Sequence, residues 1–206
     1  MAIISNATTI ADAGAFSVSL GAMTHIKTLT ASSSATVSFV NGSSNVVLDS
    51  TYPIYVVKII SANIQTDNQD IVVNFSDDTS SHSYNLTKTD TYFASLHTEA
   101  DNDAGLQYEA AEDTAQGTGF TVVTKEQAND ADAGACSTMF LFNPSSTTFV
   151  KHYMMRSNWF QHNDYAQDAF KAGYINTTAA VTAIQFKSTS GNIDSGTFKL
   201  YGIKDS

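Results

Sequence analysis

An acidic segment of this 206-residue chain has the spacing of a calcium-binding loop. Asp101 and Asp103 precede Glu112 at the distances that separate the first, third and twelfth ligands of such a loop. The fifth position is Gly105, which has no side-chain oxygen, and the sixth is Leu106, where the loop needs glycine for a sharp turn. The residues therefore favour a plain solvated loop, and we expect no metal and no other cofactor.

Nucleophilic catalysis would need a Ser or Cys next to a base. The chain has five His, but no Gly-x-Ser-x-Gly motif accompanies them. The single Cys, Cys136, follows Asp130 and Asp132, and acidic neighbours disfavour the thiolate that such catalysis requires. We therefore expect no catalytic residue, and the chain is not predicted to be an enzyme.

The most distinctive aromatic cluster contains Trp159, Phe160 and Tyr165, with amide and carboxylate side chains between them. Flat rings beside such groups bind sugars by stacking and by hydrogen bonds. The same rings could instead pack inside the fold or against another subunit. We take these three residues as candidate contacts for a glycan or for an interface.

Short strands separated by turn residues must position these side chains. Residues 36–40 alternate and end in Asn41-Gly42, a typical tight turn. Residues 55–60 are apolar on both faces, which predicts a central strand, and residues 71–75 could pair with them as a hairpin. Eight to ten such strands predict an all-β fold, specifically an antiparallel β-sandwich of jelly-roll type.

Two segments differ from this pattern. Residues 99–135 are rich in Ala, Asp and Glu and predict a long, loop-rich central insertion, with room for a helical turn at residues 109–112. The sandwich domain is expected to span residues 26–206. Residues 1–25 show apolar side chains without a firm period, so they form either an N-terminal arm that docks on a neighbouring subunit or the first strand.

Composition excludes several classes of protein. The chain carries 20 acidic and 10 basic residues, a net charge of −10, and 63 of its 206 residues are Ser, Thr or Asn. Nucleic acid is an improbable partner because the few cations are scattered. No apolar run reaches the ~18 residues of a membrane span, so membrane insertion is not expected. The first residues lack the basic region of an export signal, so synthesis in a cytoplasm is expected.

Nine blocks of strand and turn sequence follow one another in a characteristic order: residues 26–40, 47–52, 55–60, 76–81, 84–89, 141–152, 172–174, 181–186 and 190–204. The last block ends in Leu200-Tyr201-Gly202-Ile203. In this order the blocks resemble a module of structural proteins from tailed bacteriophages, notably marine phages such as cyanophages. Residues 1–25 and most of residues 99–135 lie outside the resemblance.

The resemblance implies a β-sandwich component of a virion that is made in the host cytoplasm. It would sit on the tail, in a fibre or adhesion role, or decorate the capsid surface. The implied partners are other virion proteins and further copies of this chain, with a trimer as the first expectation, and possible contact with a host surface glycan. The alternative function is that of a lectin-like module that recognises host surface glycans.

Overall fold

The computed structural model consists of β-strands, which make up 60% of the chain, and turns. It describes residues 3–5, 8–12, 15–16 and 23–204, with side chains from residue 23 onward. Over these ranges no helix is long and apolar enough to cross a membrane. The all-β, antiparallel prediction is confirmed. The strands are β1 (Ile3–Ser5), β2 (Thr8–Asp12), β3 (Ala15–Phe16), β4 (Met23–Ser34), β5 (Val37–Val40), β6 (Ile54–Ile64), β7 (Gln69–Ser76), β8 (Lys88–Thr98), β9 (Ala104–Tyr108), β10 (Thr114–Gly117), β11 (Thr121–Gln127), β12 (Ala135–Phe142), β13 (Lys151–Gln161), β14 (Tyr165–Ile175), β15 (Ala183–Ser188) and β16 (Ile193–Ile203).

The main sheet is nearly closed into a barrel. Its strands follow the order β4-β16-β6-β12-β13-β11-β7-β15-β5. The two end strands, β4 and β5, are consecutive in the chain and are joined by only two residues. The opening of the barrel therefore lies between β4 and β5.

Strand pairing in the barrel is nested along the chain. β4 pairs with β16, β5 with β15, β6 with β12 and β7 with β11, all antiparallel. The expected central strand is confirmed, because β6 lies between β16 and β12. The expected hairpin is wrong, since β7 pairs with β11 and β15 instead. Apolar residues on both faces of β6 predict two flanking strands but not which strands they are.

Further strands extend the sheet beyond the barrel. They are inserted after β7 (β8, β9 and β10) and after β13 (β14). β14 pairs with β13 on one side and β8 on the other, while β9 and β10 pair with β8. We call β14, β8, β9 and β10 the wing. The wing continues the curved sheet β4-β16-β6-β12-β13 past β13.

The segment 99–135 contains the short strands β9 and β10 besides β11, so it is less loop-rich than the sequence predicts. The β-branched run in β11 gains core packing, with Thr121 and Val123 almost fully buried. Residues 109–112 form a hydrogen-bonded turn, with the Glu112 amide donating to the Glu109 carbonyl at 3.0 Å.

Residues 1–25 are described in part. Strands β1, β2 and β3 pair with one another in a small sheet of their own, and β4 begins at Met23. The remaining positions before residue 23 lie outside the described residues. The choice between an arm and a first strand therefore stays a prediction.

Aromatic side chains from opposite sides of the barrel meet in the core. Phe75 lies 5.5 Å from Tyr153, and Phe186 lies 5.5 Å from Phe198, between ring centroids. All four rings are completely buried. Burial of each such ring contributes about 1.5–3 kcal/mol. These contacts therefore hold the strands around the core of the barrel together.

Candidate functional site

A groove runs along the outer side of the curved sheet, where the barrel meets the wing. We call it the outer groove, and its volume is about 870 Å³. That volume is typical of a binding pocket rather than of a packing defect. Its outward-facing side chains come from five neighbouring strands: Lys58 and Ile60 on β6, Cys136, Thr138 and Phe140 on β12, Met154, Arg156 and Asn158 on β13, Asp168, Phe170 and Ala172 on β14, and Thr91 and Phe93 on β8.

Strand alternation explains why these residues share one face. On β13, Met154, Arg156 and Asn158 point outward, whereas Met155 and Ser157 between them are buried. The pairing registers then align one residue from each of seven strands. We call this line the central row: Lys199, Lys58, Thr138, Arg156, Phe170, Phe93 and Tyr108.

An ordered cluster occupies the middle of the central row. The Phe93 and Phe170 rings stack with centroids 5.1 Å apart and an angle of 8° between their planes. The Arg156 guanidinium lies 4.7 Å from the Phe170 centroid and donates two hydrogen bonds of 3.0 Å to the Asp168 carboxylate. These hydrogen bonds raise the pKa of Arg156. The planar guanidinium therefore lies between a carboxylate and an aromatic ring in the middle of the central row.

We call the outward side of β6, β12, β13, β14, β8 and β9, which includes the outer groove, the outer face, and it is unusually apolar for an exposed surface. Six large apolar side chains are exposed by 38% to 73% of their area on this face, among them Leu106 and Tyr108 of β9: Ile60, Phe93, Leu106, Tyr108, Met154 and Phe170. Across the described residues, the other exposed large apolar side chains are Met23 and Phe149. Patches of this kind mark interaction sites in soluble proteins.

Charge is divided between the two ends of the central row. Lys199 and Lys58 are directly opposite each other on β16 and β6. At the other end the Tyr108 hydroxyl donates a 2.5 Å hydrogen bond to Asp113, which raises the pKa of Tyr108. The row therefore has a basic end on the barrel and an aromatic end bordered by carboxylate on the wing.

The three aromatic residues singled out in the sequence do not form one surface. Trp159 is only 2% exposed, and its indole N–H donates to the Lys125 carbonyl at 2.7 Å, so its ring faces the core and cannot stack on a ligand. Phe160 is half-buried and lies beside the outer face. Tyr165 is half-buried and donates a hydrogen bond to Asp103 at 3.2 Å.

The acidic segment does not converge as a calcium loop would. Asp101 lies 3.2 Å from His97, whereas Glu112 lies 3.3 Å from Lys125, and the extended strand β9 separates the two carboxylates. Within the part of the chain that the structure describes, no three His, Cys, Asp or Glu side chains are grouped closely enough to hold a metal ion. Cys136 is exposed and faces the outer groove.

A second cluster of charged groups is closed to solvent between the barrel and the wing. Lys171 donates to Asp90 at 2.9 Å, to Thr121 at 2.6 Å and to the Glu112 carbonyl at 2.8 Å. Tyr153 completes the cluster by donating to Asp90 at 2.5 Å. The Lys171 and Asp90 side chains are 1% and 0% exposed. This cluster joins β14, β8, β11 and β13, so it fixes the wing that carries half of the outer face.

Lys88, the first residue of β8, is also buried near this cluster. Its ammonium donates to the carbonyls of Leu86 at 3.1 Å and Gly119 at 2.5 Å. Burial lowers the pKa of Lys88 to about 8, against an opposing effect of Asp90. Burial also lowers the pKa of Lys171. Both lysines donate hydrogen bonds to backbone carbonyls that would otherwise have no donor. Neither ammonium group faces the outer groove.

Sequence reasoning missed the residues that form the outer face. The available signal was the alternation in residues 151–161, which places Met154 and the single Arg, Arg156, on the same side as Asn158. That alternation does not say which side is covered. Comparison with family models, curated proteins and solved structures finds no match for this chain.

Proposed function

We propose that the protein is a structural component of a virus particle of the tailed-bacteriophage kind, and that the outer face is one of its protein interfaces in the particle. The observation that carries the proposal is the contiguous exposed face formed by Met154, Phe170, Phe93 and their neighbours. The phage assignment is supported by the ordered sequence blocks described above. Tail, fibre and capsid-surface positions are all compatible with the proposal.

The composition of the outer face supports a protein partner. Aromatic residues, Met and Arg are enriched at the centre of protein interfaces, whereas Lys, Glu and Asp are depleted there. Met154, Phe93 and Phe170 surround Arg156, whose charge is already neutralised by Asp168. Covering this cluster with another protein would remove apolar surface from water without burying an unpaired charge.

We also infer that the barrel has jelly-roll topology, as expected from the sequence. The support is the nested pairing of β4 with β16, β5 with β15, β6 with β12 and β7 with β11, with β13 placed between β12 and β11. Jelly rolls recur in viral capsid proteins and in lectins. Since one fold serves many functions, the topology supports the proposal without carrying it.

Labelling of purified particles tests the proposal. Antibody against this chain, detected by electron microscopy with gold, is expected to bind at regular positions on the particle. Particles made with the Met154→Glu chain should lose at least ten-fold of this label, because a carboxylate would be buried at the interface. Particles made with Phe149→Glu, an equivalent change outside the outer face, should keep it. Unlabelled wild-type particles would refute the proposal.

A lectin-like function is the second candidate, and the polar side of the outer groove favours it. Arg156, Asp168 and Asn158 present planar hydrogen-bonding groups beside the Phe170 ring. Such groups bind sugar hydroxyls while the ring packs on the pyranose face. A glycan array probed with the recombinant chain should then give signals that Asn158→Ala abolishes. A silent array would exclude this candidate.

A further inference from the structure

We infer that the surface that docks on the outer face is the outer face of a second copy of this chain, related to the first by a two-fold axis. The inference rests on the proposed function only in treating the outer face as a protein interface. It adds the identity of the partner and the symmetry of the contact.

The first argument is self-complementarity along the central row. Its basic end carries Lys58 and Lys199, and its other end carries the stacked pair Phe93 and Phe170. A two-fold axis through the middle of the row, at Arg156, reverses the row in the second copy. β6 and β8 lie on opposite sides of β13, each two strands away at about 4.8 Å per strand. The reversal therefore brings β6 of one copy over β8 of the other. Lys199 then meets the Tyr108 ring of the other copy. The Lys58 ammonium, which lies 5.9 Å from the Tyr201 ring of its own copy, approaches the Phe93 ring of the other, and cations are attracted to both rings.

The second argument is the charge beyond the ring. Asp113 borders the aromatic end through its hydrogen bond with Tyr108, and β9 and β16 are exchanged by the same axis. Lys199 of one copy therefore approaches Asp113 of the other. The chain as a whole carries a net charge of −10, so two copies repel each other in most orientations. The outer face is where opposite charges can be paired by symmetry.

The third argument is the area available. The six exposed apolar side chains of the outer face expose together the equivalent of about three whole side chains. At about 200 Å² each, this is roughly 600 Å². A standard interface covers about 800 Å² on each partner, including a polar rim. The apolar centre of the face is therefore large enough for a specific dimer of two identical copies.

Sedimentation velocity of the recombinant full chain from 1 to 100 µM tests the inference together with the reactivity of Cys136. We expect a monomer–dimer equilibrium. Cys136 is exposed in the isolated chain and lies in the outer groove. Its modification by a maleimide should therefore slow at least ten-fold once the dimer forms. Met154→Glu should weaken the dimer at least ten-fold, whereas Phe149→Glu should leave its dissociation constant unchanged.

Lys58→Glu provides a second variant if Met154→Glu does not fold, as judged by circular dichroism. It should also weaken the dimer at least ten-fold, because a carboxylate would replace the ammonium over the aromatic ring. A chain that stays monomeric throughout overturns the inference. So does a dimer or trimer in which Cys136 remains equally reactive, since its contact must then lie elsewhere. Labelled particles with a monomeric chain would overturn this inference alone, whereas unlabelled particles would overturn the proposed function whatever the oligomeric state.

Discussion

Replacing Asp90 by Asn should destabilise the protein severely, because it leaves a buried ammonium without its counter-charge. The Asp90 carboxylate accepts from Lys171 on one oxygen, and from Tyr153 and Thr121 on the other. An Asn side chain has one acceptor oxygen and one donor nitrogen. If the oxygen faces Lys171, the amide nitrogen points at two former donors. If the amide is reversed, its nitrogen points at the ammonium.

The expected loss follows from the burial of the pair. Removing one partner of a buried ion pair typically lowers the free energy of unfolding by about 3–5 kcal/mol. For a chain of this length each kcal/mol corresponds to about 2–4 °C in melting temperature. The melting temperature should therefore fall by roughly 6–20 °C. Asp168→Asn is the matched control, because it breaks the exposed pair with Arg156, which is worth at most about 1 kcal/mol.

Urea unfolding followed by the fluorescence of the buried Trp159 measures both variants under the same conditions. The midpoint of Asp90→Asn should fall well below that of Asp168→Asn, with an unchanged dependence on urea concentration. If the two variants lose the same free energy, or if Asp90→Asn loses less than about 1 kcal/mol, the buried pair does not hold the wing as argued. Our reasoning about the wing would then be refuted.

Two further predictions concern pH and strand packing. The contribution of Lys88 to stability should rise from pH 8 to pH 10, because burial lowers the pKa of Lys88 to about 8 while an unfolded lysine keeps a pKa near 10.5, so the unfolded chain binds more protons at this position in that window. The urea midpoint of the wild type relative to that of Lys88→Met should therefore increase from pH 8 to pH 10, and a difference independent of pH would contradict the prediction. Gly173→Ala should cost about 1–3 kcal/mol, since its methyl carbon would overlap the Thr89 carbonyl oxygen on β8. Gly105→Ala on exposed β9 has nothing within 4 Å and should change the free energy of unfolding by less than about 0.5 kcal/mol, and equal losses in thermal melts would argue against close packing of β14 on β8.

Local sequence was sufficient for the fold class and for many strands. Alternation and β-branched residues predicted the strand that became β6, and its two apolar faces correctly placed it inside the sheet. The same signals failed in residues 99–135, where polar and acidic residues hide the short strands β9 and β10. An edge strand with both faces exposed needs no apolar alternation, so periodicity cannot detect it.

Pairing between distant strands decided the candidate site. Phe93 and Phe170 are 77 positions apart in the chain, and they stack only because β8 and β14 are neighbouring strands. Trp159 was a candidate contact by its type, and the packing of β13 on β11 turned it inward instead. Alternation assigns residues to two sides of a strand, but the side that is covered depends on which strands lie across it.

By itself the sequence determined an antiparallel all-β protein with few charges and a central apolar strand. Only the tertiary structure decided the nested pairing, the wing and the apolar outer face. It also decided that Lys171 is buried, because Asp90, its counter-charge, is brought to it from 81 positions away. Strand propensity is encoded by neighbouring residues, whereas partner choice and burial depend on contacts between residues far apart in the chain.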